Sequence, residues 1–129
     1  MVIDTSALFA IEAEEPEMVH FDSLLRAADR RLMSAASAVE LAVVLTRRRL
    51  SDQRLAVDDL LSHYGIEIVD VDESQMRQAW LGFIQFGKGR HPARLNFGDC
   101  FSYALAKSMG EPLLFKGEDF THTDLTPAA

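Results

Sequence analysis

Four acidic residues, far apart in this chain, each lie beside a short apolar segment. They are Asp4, Glu40, Asp99 and Asp119. Each has an ordinary structural explanation when taken alone, because acids cap helix N-termini, favour the helix dipole and are common in turns. Ser37-x-x-Glu40 has the spacing of a capping box, and Asn96-x-x-Asp99 resembles one.

Brought together, the four acids would form a different kind of site. Carboxylates packed side by side repel one another, and a fold keeps them ionised only if a cation or strong hydrogen-bond donors compensate their charge. Ligands that are all oxygen favour a hard ion, which means Mg²⁺ or alternatively Mn²⁺. Zinc is disfavoured, because the four histidines and the single cysteine show no paired ligand spacing.

A magnesium site of this kind favours a phosphate ester as the substrate. Mg²⁺ keeps several waters and is usually held by one or two carboxylates together with phosphate oxygens. The ion lowers the pKa of a bound water and stabilises charge on the attacked phosphate. An acid beyond the direct ligands can then orient or deprotonate that water. One metal ion and two metal ions are both compatible with these residues.

Short apolar strands alternate with helical segments along the chain. Strands are predicted at residues 2–3, 31–34, 66–71 and 113–115. Helices are predicted to begin near residues 5, 16, 37, 51, 72 and 96. The alternation predicts an α/β fold with three layers, in which a central, mostly parallel sheet of four to five short strands carries helices on both faces.

This topology predicts that the four acids meet. In an open parallel sheet, ligands bind beyond the carboxyl ends of the strands, and the helices that follow the strands begin at that same edge. Asp4 ends the first strand, and Asp119 follows the last one. Glu40 and Asp99 are each predicted in the first turn of a helix. All four carboxylates are therefore expected at one edge of the sheet.

Two apolar stripes at helical spacing are predicted to face the core. The first is Met76, Ala79, Trp80, Phe83 and Ile84. The second is Phe97, Cys100, Phe101, Ala104 and Leu105. Cys100 is interpreted as a small core residue and not as a nucleophile, because it lies on an apolar stripe.

The bulk properties of the chain indicate one cytoplasmic domain. Its 129 residues fit a single domain spanning 1–129, and an apolar fraction of 48% supports a real core. The net charge of −7 argues against a basic coat protein for nucleic acid, but it is compatible with an enzyme that has a local basic rim. A lone cysteine suits a reducing cytosol. No apolar run is long enough to span a bilayer, so no membrane association is expected.

Four segments together resemble the PIN domain of VapC-type toxins. In chain order they read VIDTSAL at 2–8, SAVEL at 37–41, LNFGDC at 95–100 and LFKGEDF at 114–120. The resemblance implies a PIN-like fold and a Mg²⁺-dependent endoribonuclease that leaves a 5′-phosphate and a 3′-hydroxyl. It also implies a type II toxin–antitoxin pair, a VapB-type antitoxin as inhibitor, a toxin homodimer, and a heterotetramer or larger complex with the antitoxin.

The resemblance implies a catalytic set and a metal-ligand set. The catalytic set comprises four acids and two hydroxyl residues: Asp4, Thr5, Ser6, Glu40, Asp99 and Asp119. Its four acids match the metal ligands of the family, with Asp4 and Asp99 holding the ion and with Glu40 and Asp119 completing the shell. Glu118 departs from the family, whose members often carry Asn there; it either adds charge to the site or faces solvent.

Basic residues suited to an RNA backbone lie shortly before Asp99 and after the last predicted strand. The residues predicted to contact RNA are Lys88, Arg90, Arg94 and Lys116. Solvated loop charge is the other interpretation of the first three, and Lys116 would alternatively balance the acids. Arginines 47–49 with Arg54 have the same two interpretations, as substrate contacts or as solvated charge at a helix end.

Three other functions share some of these features. A phosphorelay receiver-like domain has a similar length and acids at the carboxyl edge, but it needs adjacent acids where this chain has Asp4 and Thr5. A dehalogenase-like phosphatase needs an aspartate at the position of Ser6. A non-catalytic PIN-like module that only binds a partner is the third, and the complete acid set argues against it. Whichever function applies, the apolar stripe of Trp80 and Phe83 has a second interpretation beside the core, as a surface for an antitoxin or a second copy.

Overall fold

The computed structural model describes residues 1–48 and 53–129, without the side chains of 53–55. The helix start predicted near residue 51 and the side chains at 49 and 54 lie outside that part of the chain. The elements, numbered in chain order, are β1 (Val2–Ile3), α1 (Thr5–Glu12), α2 (Met18–Ala27), β2 (Leu32–Ser34), α3 (Ala35–Arg48), α4 (Gln53–Tyr64), β3 (Glu67–Val69), α5 (Glu73–Phe86), α6 (Phe97–Met109), β4 (Leu113–Leu114) and a 3₁₀ helix (Asp119–His122).

The strands of the described chain form one parallel sheet in the order β3-β2-β1-β4. Val2 is in register with Leu32 on one side and with Leu113 on the other. The sequence-based prediction of a mostly parallel sheet with four to five strands is therefore confirmed. Receiver domains have the order 2-1-3-4-5. The observed order thus argues against the receiver interpretation.

Alternate strand residues supply two separate cores, because successive side chains of a strand point to opposite faces of the sheet. One set packs against α1, α2, α3 and α4: Ile3, Met33 and Leu114. The other set packs against α5 and α6: Val2, Leu32 and Leu113. The sheet is thereby covered on both faces, which confirms the predicted three-layer α/β/α arrangement.

Helix α5 buries a different face from the predicted one. Its buried residues are Ala79, Gly82 and Phe86, whereas Trp80 is 58% exposed. Gly82 allows this packing: a Cβ atom at that position would lie 2.5 Å from the Tyr103 ring of α6. The backbone of α5 therefore approaches α6 closely, and the larger side chains remain outside. The prediction that the stripe of Met76, Trp80, Phe83 and Ile84 lies in the core was wrong.

Helix α6 is largely buried, but its first residue is not. The prediction placed Phe97 on the inward stripe, whereas its side chain is 80% exposed. Cys100 is buried as predicted, and burial, together with the nearby charge of Asp99, raises the pKa of its thiol to about 11. Across the residues that the structure describes, no helix is both long and apolar enough to cross a membrane.

Candidate active site

Asp4 lies at the carboxyl end of β1, where it caps helix α1. Its side chain is 3% exposed. One carboxylate oxygen, Oδ2, accepts hydrogen bonds from the backbone N–H of Ser6 at 3.0 Å and from the Ser6 hydroxyl at 2.6 Å. The Ser6 hydroxyl also accepts the backbone N–H of Lys116 at 3.0 Å. Ser6 therefore fixes the first acid and joins the end of β1 to the segment after β4.

The other oxygen of Asp4 has a partner that the sequence analysis missed. Ser102 of α6 is fully buried, and its hydroxyl donates to Asp4 Oδ1 at 2.5 Å. The hydroxyl of Ser37 on α3 lies 3.1 Å from that of Ser102. The available signal was a serine three residues after Asp99 in the same predicted helix, and therefore on the same helix face as that acid. A polar residue at a core position of a helix needs a buried partner.

Thr5 links α1 to α3 and does not contact Asp4 through its hydroxyl. The Thr5 hydroxyl donates to the backbone carbonyl of Ser37 at 2.9 Å. Ser37 is itself buried and forms no capping box, because α3 begins two residues earlier, at Ala35. The Ser34 hydroxyl instead accepts the backbone N–H of Ala36 at 3.3 Å. The capping-box interpretation of Ser37 and Glu40 was therefore wrong.

Glu40 reaches the site from the second turn of α3, one turn later than predicted. Its carboxylate packs against Gly98 in the first turn of α6: a Cβ atom there would lie 1.7 Å from Glu40 Oε2. Only glycine leaves room for this approach. Burial raises the pKa of Glu40, the polar Thr5 side chain nearby opposes the rise, and the negative charge of Asp4 adds to it.

Asp99 sits in the first turn of α6, as predicted, and completes a capping box with Asn96. The Asn96 side chain accepts the Asp99 backbone N–H at 2.8 Å, and Asp99 Oδ2 accepts the Asn96 backbone N–H at 3.0 Å. Burial raises the pKa of Asp99 to about 7, and the charges of Asp4, Asp119 and Glu40 contribute to the rise. All three other acids thus act on this carboxyl.

Asp119 begins the 3₁₀ helix that follows β4 and is exposed. Because β4 pairs in parallel with β1, the segment that follows β4 starts at the same edge of the sheet as Asp4. The charge of Asp119 also contributes to the raised pKa of Asp99. Glu118 precedes the 3₁₀ helix and is also exposed, without a side-chain capping bond. The solvent-facing interpretation of Glu118 agrees with this exposure.

The four acids lie at the point where the strand order reverses. The chain adds β2 and β3 on one side of β1 and then crosses to add β4 on the other side. Ligands of open α/β sheets bind in the crevice beyond the carboxyl ends of the strands at such a reversal. Asp4 follows β1 and Asp119 comes after β4, so both flank this crevice.

A hard divalent cation fits the chemistry of this site. Among the side chains that the structure describes, those of residues 1–48 and 56–129, no lysine or arginine forms an ion pair with any of the four acids. The same residues contain no ready cluster of three His, Cys, Asp or Glu side chains for a metal. Mg²⁺ does not need one, because one or two carboxylates with waters suffice. Uncompensated negative charge and oxygen donors suit Mg²⁺ or Mn²⁺.

The four basic residues predicted to contact RNA differ in their surroundings. Lys116 forms ion pairs with Glu15 and Glu17, the latter at 3.2 Å, and not with the acids of the site. Its positive charge is thus compensated from the segment between α1 and α2. Lys88, Arg90 and Arg94 are exposed in the loop that leads to α6. The Arg90 Nε donates to the backbone carbonyl of Ile84 at 3.2 Å.

Comparisons with known proteins agree on one family. The PIN domain profile matches residues 1–125. Ribonuclease VapC30 of Mycobacterium tuberculosis is 46% identical over 129 residues, which cover 100% of this chain and 98% of that protein. Ribonuclease VapC42 of the same species is also 46% identical, with 99% and 98% covered.

Two solved structures show the same fold at low sequence identity. One is Mycobacterium tuberculosis VapC20, a toxin that cleaves the sarcin–ricin loop, with a TM-score of 0.78, 20% identity, and 97% of this chain and 95% of that chain covered. The other is VapBC2 from Rickettsia felis, bound to a DNA fragment from its promoter, with a TM-score of 0.75, 14% identity, and 98% and 95% covered. From the matched profile and the full-length relatives, this chain belongs to the PIN domain family, among its VapC-type toxins.

Proposed function

We propose that this chain is a Mg²⁺-dependent endoribonuclease and the toxin of a type II toxin–antitoxin pair. The two relatives at 46% identity are both named as VapC ribonucleases, and each match spans nearly the full length of both proteins. An enzyme that cuts cellular RNA works in the cytosol, where the single cysteine stays reduced.

One observation carries this proposal: four carboxylates from four parts of the chain come to one edge of the sheet. Asp4 and Asp119 follow the paired strands β1 and β4, and Glu40 packs against Gly98, beside Asp99. The pKa of Asp99 rises to about 7 through burial and the charges of Asp4, Asp119 and Glu40. The arrangement is explained if a divalent cation compensates the charge when substrate binds.

In the proposed reaction, Asp4 and Asp99 hold the ion, and Glu40 and Asp119 complete the shell. A Mg²⁺ ion held by these acids would supply an activated water and would stabilise charge on the scissile phosphate. Ser6 holds Asp4 in place through two hydrogen bonds to Oδ2. Asp119, which is exposed, is proposed to orient a water molecule or to accept a proton from it.

The RNA backbone is proposed to run along the loop before α6. Lys88, Arg90 and Arg94 are exposed there and lie just before the helix that carries Asp99. Their charge suits phosphate contacts, which would make binding depend on salt concentration. Lys116 would reach a phosphate only after releasing Glu15 and Glu17, so its role in RNA binding ranks below that of the loop residues.

The proposed partners are a VapB-type antitoxin and a second copy of the chain. We assign the homodimer to the apolar surface of α5 and the start of α6. It is formed by exposed side chains: Met76, Trp80, Phe83, Ile84 and Phe97. A contiguous exposed apolar surface of this kind is typical of an interface. A toxin dimer with antitoxin gives a heterotetramer or a larger complex.

The function is tested by RNA cleavage with purified protein. Wild type and Asp99→Asn are incubated with total cellular RNA in Mg²⁺, in Mn²⁺ and in chelator. We expect discrete cuts that need metal, and a loss of roughly 100-fold or more in Asp99→Asn, because a ligand and its charge are removed. Sequencing of the cut ends identifies the RNA and the bond.

The choice of variant keeps the fold intact. Asn at position 99 retains an oxygen that can accept the Asn96 backbone N–H, so the cap of α6 survives. Asp70→Asn, which changes an exposed carboxyl after β3, is the matched control and is expected to cleave like wild type. Cleavage that persists in chelator or in Asp99→Asn would refute the metal-dependent mechanism. A folded wild type that cuts no RNA would favour the non-catalytic binding module.

A further inference from the structure

We infer that Ser102 is a positioning residue for the metal site, which it serves by orienting Asp4 through a hydrogen bond to Oδ1. This role rests on the proposed metal-dependent function. Ser102 does not belong to any of the four segments that resemble the family, and it is a fully buried polar residue of α6. Its neighbours on α6 are buried: Tyr103, Ala104, Leu105 and Ala106.

The direction of the hydrogen bonds at Ser102 follows from the chemistry of the groups. An ionised carboxylate only accepts, so the Ser102 hydroxyl must donate its single proton to Asp4 Oδ1, at 2.5 Å. The Ser37 hydroxyl, 3.1 Å from that of Ser102, must therefore be the donor of the second bond. The result is a directed chain from Ser37 on α3 through Ser102 on α6 to Asp4 after β1.

The hydrogen bonds from Ser6 and Ser102 leave one acceptor position of the Asp4 carboxylate free. A carboxylate has about four acceptor positions, two on each oxygen. Ser6 occupies both positions of Oδ2 through its N–H and its hydroxyl. Ser102 occupies one position of Oδ1. One acceptor position on Oδ1 thus remains for a cation, and the carboxylate is held so that this position is fixed.

Orientation of this kind matters more for a metal ligand than for a helix cap. The cap of α1 is made by Oδ2 and does not need Ser102. A purely apolar residue at position 102 would suit its buried neighbours and would leave the cap intact. A buried hydroxyl aimed at the opposite oxygen is explained by ligand positioning, because groups that hydrogen-bond to metal ligands fix their orientation and strengthen binding.

The test measures binding of Mn²⁺, which serves as a spectroscopic probe for Mg²⁺, to the full chain. Mn²⁺ is titrated into wild type and Ser102→Ala, and the free ion is followed by electron paramagnetic resonance. We expect the dissociation constant to rise by roughly 10- to 100-fold in Ser102→Ala. Ser102→Thr keeps the hydroxyl and is expected to restore affinity to within about threefold of wild type.

Two further variants separate positioning from general damage to the core. Ala104→Gly weakens the same buried helix without touching Asp4, so it should lower stability and leave Mn²⁺ affinity unchanged. Ser37→Ala removes the donor to Ser102 but keeps the bond to Asp4, so it should weaken Mn²⁺ binding by less than Ser102→Ala. Adding Ser37→Ala to Ser102→Ala should have no further effect, because the chain of hydroxyls is already broken.

A second readout follows cleavage as a function of Mn²⁺ concentration. In Ser102→Ala the half-saturating Mn²⁺ concentration should rise in parallel with the dissociation constant, and excess metal should recover much of the rate. Equal Mn²⁺ affinity in wild type and Ser102→Ala overturns the role of Ser102 while leaving the proposed function intact. A wild type that binds no Mn²⁺ overturns both the metal-dependent function and the role of Ser102.

Discussion

At the scale of single residues, the ionised form of Asp99, which the proposed site requires, lowers the stability of the fold. The pKa of its carboxyl rises from 3.8 to about 7, first because of burial and then because of the charges of Asp4, Asp119 and Glu40. The folded protein therefore holds the Asp99 proton more tightly than the unfolded chain does. Ionisation of Asp99 therefore destabilises the metal-free fold, and binding of the proposed cation would offset this cost.

The resulting pH dependence has a defined sign. Below pH 4 the Asp99 carboxyl is protonated in both states, and above about pH 7 it is ionised in both. Between these values the folded state binds more protons, so stability falls as the pH rises. In Asp99→Asn this contribution is absent. We expect the variant, without metal, to gain up to about 4 kcal/mol over wild type between pH 4 and pH 8, since one pKa unit corresponds to about 1.4 kcal/mol.

Urea unfolding in chelator at several pH values measures this difference. Asp70→Asn provides the control for the loss of one exposed carboxyl and should follow the wild-type curve across the range. A constant difference between wild type and Asp99→Asn from pH 4 to pH 8 would show that the ionisation of Asp99 is not coupled to folding.

At the scale of elements, two glycines set how closely the helices approach. Gly98 lets Glu40 of α3 reach the start of α6, and Gly82 lets α5 pack against Tyr103 of α6. Both are helical and both would clash as alanine, with Cβ contacts of 1.7 Å and 2.5 Å. Only the first contact involves an acid of the site. Substitution of Gly98 therefore tests the geometry of the site, whereas substitution of Gly82 tests the packing of the core.

Gly98→Ala should impair cleavage with little loss of stability. Alanine favours a helix by about 1 kcal/mol over glycine, and the displaced group is a carboxylate at the edge of the fold. Displacement of Glu40 by about 1 Å or more should lower the cleavage rate by roughly 10- to 100-fold. Gly82→Ala should instead cost about 1–3 kcal/mol through overpacking and leave the specific activity of the folded protein near wild type.

Cleavage assays and urea unfolding of both variants check this contrast. Full activity in Gly98→Ala would mean that the position of Glu40 is not needed for the reaction. A large loss of activity in Gly82→Ala, at a temperature where the protein is folded, would mean that α5 controls the site.

At the scale of the whole molecule, the packing of α5 leaves several apolar side chains exposed to solvent, as at a surface that binds a partner. Trp80 and Phe97 are the most exposed of this group, at 58% and 80%. A stable interface usually buries about 800 Å² on each partner, and aromatic side chains often dominate its energy. The homodimer proposed above would cover this surface.

Trp80→Lys should convert the dimer to a monomer by placing a charge in the proposed interface. Sedimentation equilibrium at micromolar concentration measures the change, and the fold should remain intact because Trp80 is already exposed in one chain. Val19→Lys is the matched control: Val19 is 79% exposed on α2, away from α5, and the variant should stay dimeric. A monomeric wild type at these concentrations would rule out the proposed homodimer.

Local chemistry was enough to identify most elements and the four acids. Apolar runs bounded by polar residues located each strand to within a few residues, and Asn96 with Asp99 formed the capping box that their spacing suggested. The alternation of strands and helices determined the parallel sheet, since a parallel connection requires a crossover helix. From that topology the four acids were expected to meet at one edge of the sheet, and the raised pKa of Asp99 agrees with this expectation.

Packing decided what the sequence pattern left open. Sequence periodicity identifies an apolar helix face but does not show whether a neighbouring helix covers that face. Helix α5 packs against α6 through the face that contains Gly82, and Trp80 therefore stays exposed. Because α3 begins at Ala35, Glu40 lies in the second turn of the helix, and the missing side chain of Gly98 leaves room for its carboxylate. The bond from Ser102 to Asp4 joins residues 98 positions apart, and no local pattern encodes it. Such contacts depend on the distance between elements, which only the folded chain determines.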